Sequence, residues 1–119
     1  MIYQAGKLTM LDNVQFKIGS AQIDPKSFAL LDQVALVLKA NPQIKEIRVE
    51  GHTDETGDRQ QNLTLSKMRA NSVRDYLVRK GVSPTRLSTE GYGPDKPLVQ
   101  GTDAASRAKN RRVEFVLKE

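Results

Sequence analysis

IKEIRVEGHTDETGDRQQNLTLSKMRA, residues 44–70, is the stretch from which the rest of the chain can be read. Its first part alternates. Ile47, Val49 and Gly51 fall on one side and Arg48, Glu50 and His52 on the other, the period of a strand of about six residues. The polar DETGDRQQ that follows is a loop. A helix is then predicted from about Asn62 to Lys80, with Gly81 as its stop. Leu63, Ser66, Ala70, Val73 and Leu77 form its core stripe, while Asn62, Leu65, Arg69, Ser72 and Tyr76 recur at spacings of three and four on another side.

Working outward, residues 7–18 mix apolar and polar residues in short alternation and read as a strand or two. Asp24-Pro25 opens a helix, the aspartate capping free amides and the proline suiting the first helical position. Phe28, Leu31, Val34, Ala35 and Leu38 share one face of it, and Asn41-Pro42 ends it. RLSTEGYG (86–93) reads as a third strand, and RRVEFVLK (111–118) as a fourth with Val113, Phe115 and Leu117 on one face. The residues between them are loop-like, with at most one short helical turn. The expected fold is α+β in the order β-α-β-α-β-β: a mixed four-stranded sheet with both helices on one face, residues 1–119 forming a single domain.

The totals narrow the function. The chain has 119 residues and no cysteine or tryptophan, which excludes thiol catalysis, a cysteine zinc site and a disulfide framework. Its longest apolar run falls far short of the roughly 20 residues that cross a bilayer, so this chain is not expected to insert in a membrane. MIYQAGKLTM lacks the basic start and apolar core of an export signal, so in an exported parent this would be a mature or excised piece. A net charge of +5 and a pI near 9.6 favour anionic partners such as nucleic acid, phospholipid headgroups or cell-wall polymers. Arg107, Lys109, Arg111 and Arg112 crowd together, although such clusters are commonly no more than solvated faces. With only three tyrosines and three phenylalanines, no stacking platform of interleaved aromatics is visible, so nucleic acid is not the expected partner.

Three chemistries are open to residues 51–70. Catalysis by His52 with Asp54 lacks an assignable nucleophile and orienter, since Ser66 is not presented by a G-x-S-x-G turn. His52 is instead expected to be a structural residue at a strand end. A calcium loop opening at Asp54, Thr56 and Asp58 fails at its sixth position, Arg59, and at its twelfth, Leu65, and the ligands fall short of a zinc set; no metal or cofactor is expected. Recognition is the third. Asp54, at the end of the strand feeding the helix, and Arg69, on the helix, can face each other across a shallow cleft. A carboxylate opposite a guanidinium suits a ligand bearing both an ammonium and a carboxylate. Spacing alone leaves this open beside a plain intramolecular salt bridge, worth about 0 to 1 kcal/mol when exposed.

The residues also carry a resemblance. Gly51-His52-Thr53-Asp54, Asn62, Leu65-Ser66, Arg69-Ala70, Val73, Tyr76-Leu77, Gly81, Arg86-Leu87, Gly91-Tyr92-Gly93, Pro97, Arg107 and residues 110–114 (NRRVE) follow in the order and spacing of the OmpA-like (OmpA/MotB/Pal C-terminal type) peptidoglycan-binding domain. The match runs over about residues 14–118. The resemblance implies a non-catalytic domain on the periplasmic side of a Gram-negative envelope, part of an outer-membrane or other membrane-associated parent, that anchors this parent to the cell wall. In such domains an aspartate and an arginine clamp the diaminopimelate of the peptidoglycan peptide stem; the matching positions are Asp54 and Arg69. Phe16, Thr53, Asn62, Leu65 and Arg111 match further cleft positions, whereas Asn110, Arg112 and Gly91 match structural ones. One departure follows Phe16. Family members often carry an acidic residue and small polar ones there, and this chain has Lys17, Ile18 and Gly19. That departure keeps a second expectation open, the same fold used as a structural or dimerising domain, so a homodimer is among the expected assemblies.

Overall fold

The computed structural model describes residues 13–118 with their side chains, and the backbone of two short strands, Ile2–Gln4 (β1) and Lys7–Thr9 (β2). The remaining elements are helix α1 (Phe28–Ala40), strand β3 (Glu46–His52), helix α2 (Arg59–Arg79), strand β4 (Leu87–Gly93), helix α3 (Ala104–Asn110) and strand β5 (Arg112–Lys118). Local chemistry sets their ends. Asp24 accepts from the Lys26 amide at the start of a 3₁₀ turn, Pro25–Ser27, that leads into α1. Asp58 caps α2 by accepting from the Gln61 amide, so this helix begins three residues before the predicted Asn62.

The sheet has five strands in the order β1-β2-β5-β3-β4, not the expected four. β3 runs parallel to β4 and antiparallel to β5, so the sheet is mixed, with α2 as the crossover between its parallel pair. Of the strand or two expected over residues 7–18, the described residues show β2. Residues 10–12 lie outside the described part, and residues 13–18 form a loop. Lys17 N–H donates to the Gln22 carbonyl (3.0 Å) and Asp24 N–H to that of Gln15 (2.9 Å), closing the segment on itself. Its one ladder contact is an isolated bridge between Phe16 and Ile23. A second difference is α3, which takes two turns where at most one was expected. Asp103 caps it by accepting from the Ser106 amide.

One face of the sheet carries Ile47, Val49, Val113, Phe115 and Leu117, packed in a common core with Leu31, Val34, Ala35 and Leu38 of α1 and Ala70, Val73 and Leu77 of α2. The predicted stripes are therefore buried, with two exceptions. Phe28 stays 38% exposed, and Leu63 is half-buried. Tyr76 moves the other way. Placed on the polar side of α2 by spacing, it is buried in the α1–α2 seam, its hydroxyl donating to Asp32 (2.7 Å) and its ring stacked on Phe28 at 5.2 Å. It belongs to the packing of the helices.

Two glycines let α2 lie directly on the strands. Gly51 and Gly91 are partners in the β3–β4 ladder. A Cβ on Gly51 would come 2.2 Å from the Ser66 carbonyl oxygen, and one on Gly91 would come 2.4 Å from the Lys67 nitrogen. Ser66 sits at this crossing. Its hydroxyl donates to the Leu63 carbonyl (2.9 Å) and accepts from the Gly93 N–H (2.9 Å), pinning helix to strand. The C-terminal end of β3 and the first half of α2 are thereby held side by side.

Candidate ligand-binding site

Asp54 leaves the end of β3 in a tight turn. Its Oδ1 accepts from the Thr56 N–H (2.9 Å) and from the Thr56 hydroxyl, and its Oδ2 from Arg111 Nη1 (2.6 Å). Burial pushes the Asp54 carboxyl up, but the Thr56 bonds and the Arg111 guanidinium outweigh it and hold the group below the usual carboxylate range. The carboxylate is ionised and anchored at neutral pH. Thr53 is buried behind it, its hydroxyl donating to the Asp54 carbonyl (2.9 Å). Asn62 donates from Nδ2 to the Thr56 carbonyl (2.7 Å), tying the start of α2 to the turn that carries Asp54.

Arg69 projects from α2 toward the loop of residues 13–23. Its Nε donates to the Ser20 carbonyl (2.9 Å), and its guanidinium lies 4.9 Å above the Phe16 ring. Among the described residues it has no carboxylate partner. Burial, with the nearby positive charge of Arg111, holds the Arg69 guanidinium below its ordinary value. Arg69 and Arg111 line one groove of about 380 Å³ together with Phe16, Ile18 and Asn13. Asp54 and Thr53 line an adjacent depression of about 170 Å³ that reaches Pro97 and Asn110. Arg111 joins the two, since it lines the groove and holds the aspartate.

The two residues singled out from the sequence are thus neighbours of one basic centre rather than partners of each other. Asp54 pairs with Arg111, and no Asp54–Arg69 ion pair occurs among the described residues. Leu65 is half-buried and lies elsewhere, in a third depression of about 480 Å³ with Gly19, Ser20, Ala21 and Met68. Asn13 was not anticipated. It donates to the Arg111 carbonyl (2.5 Å) and accepts from the Val113 N–H (3.0 Å), fixing the backbone from which Arg111 extends. Nothing in local sequence marks it, because its partners are about a hundred residues away. Chemically the site offers one anchored carboxylate and two guanidiniums, one of them lacking an anion among the described residues, a set suited to a small zwitterion.

His52 alternates with Gly51 and so lies on the sheet face opposite α2. Its side chain is 2% exposed, with Nε2 3.5 Å from Glu114 Oε2 and 3.9 Å from Glu50 Oε1. Burial, aided by Arg112, depresses the imidazole from 6.5 to about 4.

A family model described as the OmpA family matches residues 15–111. The chain is 41% identical over 110 residues to the probable lipoprotein YiaD of Escherichia coli, an alignment covering 92% of this chain and 50% of that protein. It is 40% identical over 108 residues to the peptidoglycan-associated lipoprotein of Pseudomonas aeruginosa, covering 91% and 63% respectively. The crystal structure of the peptidoglycan-associated lipoprotein from Burkholderia pseudomallei superposes with a TM-score of 0.80 at 38% identity, over 89% of each chain. The chain belongs to the OmpA family. It spans between half and two thirds of the length of the two curated relatives.

Proposed function

We propose that this chain is a non-catalytic binding module that holds peptidoglycan by a diaminopimelate residue of the stem peptide and so anchors its parent protein to the cell wall. Residues 1–119 act as one unit on the periplasmic side of the envelope. Diaminopimelate presents an ammonium and a carboxylate on its distal carbon. Arg69 takes the carboxylate with paired N–H donors, Asp54 takes the ammonium, and Arg111, already on Asp54, screens the carboxylate end. The observation that carries this reading is Arg69 itself: a partly buried guanidinium, stacked on Phe16, lacking a carboxylate among the described residues and facing a groove beside an anchored aspartate. Relatives named for associating with or binding peptidoglycan support it.

The test is pull-down on purified sacculi. Asp54→Ala and Arg69→Ala should each abolish retention on diaminopimelate-type sacculi while leaving circular dichroism unchanged. The wild-type chain should be retained much less on sacculi whose stems carry lysine, which lacks the distal carboxylate. Retention of both variants would refute the clamp, and equal retention on both wall types would refute the diaminopimelate assignment.

A further inference from the structure

We propose that Glu50, His52 and Glu114 form a binding site for one divalent first-row transition-metal cation, with Zn²⁺ as the preferred ion, on the sheet face opposite α1 and α2. The ladder brings these residues together. Glu50 and Glu114 are directly paired across β3 and β5, and His52 follows Glu50 by two residues on the same face. Like charges directly opposite one another on a ladder are destabilising; Arg48 and Arg112 offset this from the flanks, and a cation between the carboxylates would offset it from within.

The imidazole points the same way. Both ring nitrogens of His52 are buried and, among the described residues, without a hydrogen-bond partner. Buried polar atoms are rarely left in this state. Nε2 faces both carboxylates at 3.5 and 3.9 Å, too far for a good hydrogen bond. One ligand atom from each of the three residues falls within 4.8 Å of the others. A tetrahedral zinc with bonds of about 2.1 Å separates its ligands by roughly 3.4 Å, so these side chains must close in by at most about 1.4 Å. One aromatic nitrogen with two carboxylate oxygens matches borderline ions, whereas calcium takes six to eight oxygens and magnesium an oxygen octahedron. Tyr92, stacked on the His52 ring at 5.3 Å, limits its rotation.

Competing cations bound the affinity. Arg48 Nε lies 2.7 Å from Glu50 Oε2, and Arg112 Nη2 2.8 Å from Glu114 Oε2. Lys96 Nζ sits 4.2 Å from the centre of the Tyr92 ring. With these positive charges around the two carboxylates, the site is expected to hold Zn²⁺ at micromolar strength, far weaker than structural zinc sites of several thiolates. A bound ion would cross-link β3 to β5 two residues before Asp54.

The chain's single histidine makes the test direct. Tag-free protein, stripped with a chelator, is titrated with ZnCl₂ while the ¹⁵N resonances of the imidazole are followed by NMR. One Zn²⁺ per chain is expected to bind, to move the His52 Nε2 resonance far more than Nδ1, and to raise the Tm, with MgCl₂ doing neither. Glu50→Gln and Glu114→Gln preserve shape and should each weaken binding at least about tenfold with circular dichroism unchanged. An Nε2 resonance unmoved at millimolar Zn²⁺ would overturn the proposal. So would two glutamine variants that bind as tightly as the unsubstituted chain, since the ion would then sit on other carboxylates.

Discussion

The closeness of α2 to β3 can be tested at one atom. In Gly51→Ala the new Cβ would lie 2.2 Å from the Ser66 carbonyl oxygen and 3.0 Å from its carbon, against an ordinary contact beyond 3.4 Å. The obstacle is helix backbone, so no side chain can turn aside to make room. The helix must lift by about 1 Å, loosening the contacts of Ala70, Val73 and Leu77. Overpacking a core costs about 1 to 3 kcal/mol, and a backbone obstacle places this substitution at the upper end, about 3 kcal/mol. That is a large share of the roughly 5 to 15 kcal/mol of a typical domain. Urea unfolding followed by circular dichroism should show the midpoint fall by about 1 to 3 M, at a slope of about 1 to 3 kcal/mol/M. Gly19→Ala is the control. There the added Cβ meets nothing within 4 Å, but φ is +63°, so only the left-handed backbone costs, about 1 kcal/mol. A Gly51→Ala loss below about 1 kcal/mol, or one no greater than that of Gly19→Ala, would refute the packing argument.

Two further substitutions separate packing from recognition. Tyr76→Phe removes the hydroxyl bond to Asp32 and should cost about 1 kcal/mol in thermal or urea unfolding without changing retention on sacculi; lost retention would return Tyr76 to the recognition side of α2. Asn110→Ala removes a buried amide that accepts from the Leu98 and Val99 N–H groups (2.8 and 3.0 Å) and donates to the Val99 carbonyl (3.1 Å). It should cost about 2 to 3 kcal/mol and speed amide exchange at Leu98 and Val99. Asn110→Asp, which keeps the acceptor, should protect those two amides better.

Much of the fold was legible because its causes are local. Ile47 and Val49, or Val113, Phe115 and Leu117, are core residues by period two alone, and Ser66, Ala70, Val73 and Leu77 by the helical repeat. Asp24 and Asp58 cap their helices through their own side chains, but Asp58 lies in a polar run that resembles a loop and hides the first turn of α2. α3 is barely visible in the sequence because AASRAKN has no apolar stripe, leaving the Asp103–Ser106 cap as its one signal. The spacing of Tyr76 fits two sides of the helix, and only the position of α1 shows which one is covered.

By itself, the sequence determined the main helices and the core strands with their stripes, since each depends on residues within a few positions of one another, and it made Asp54 and Arg69 candidates by their chemistry. The tertiary structure decided the strand order, the five-stranded sheet and the partner of the aspartate. Arg111 reaches Asp54 from 57 residues away, and Asn13 braces Arg111 across 98. No periodicity can encode such a pairing, because it exists only once β3 and β5 lie side by side in the same ladder.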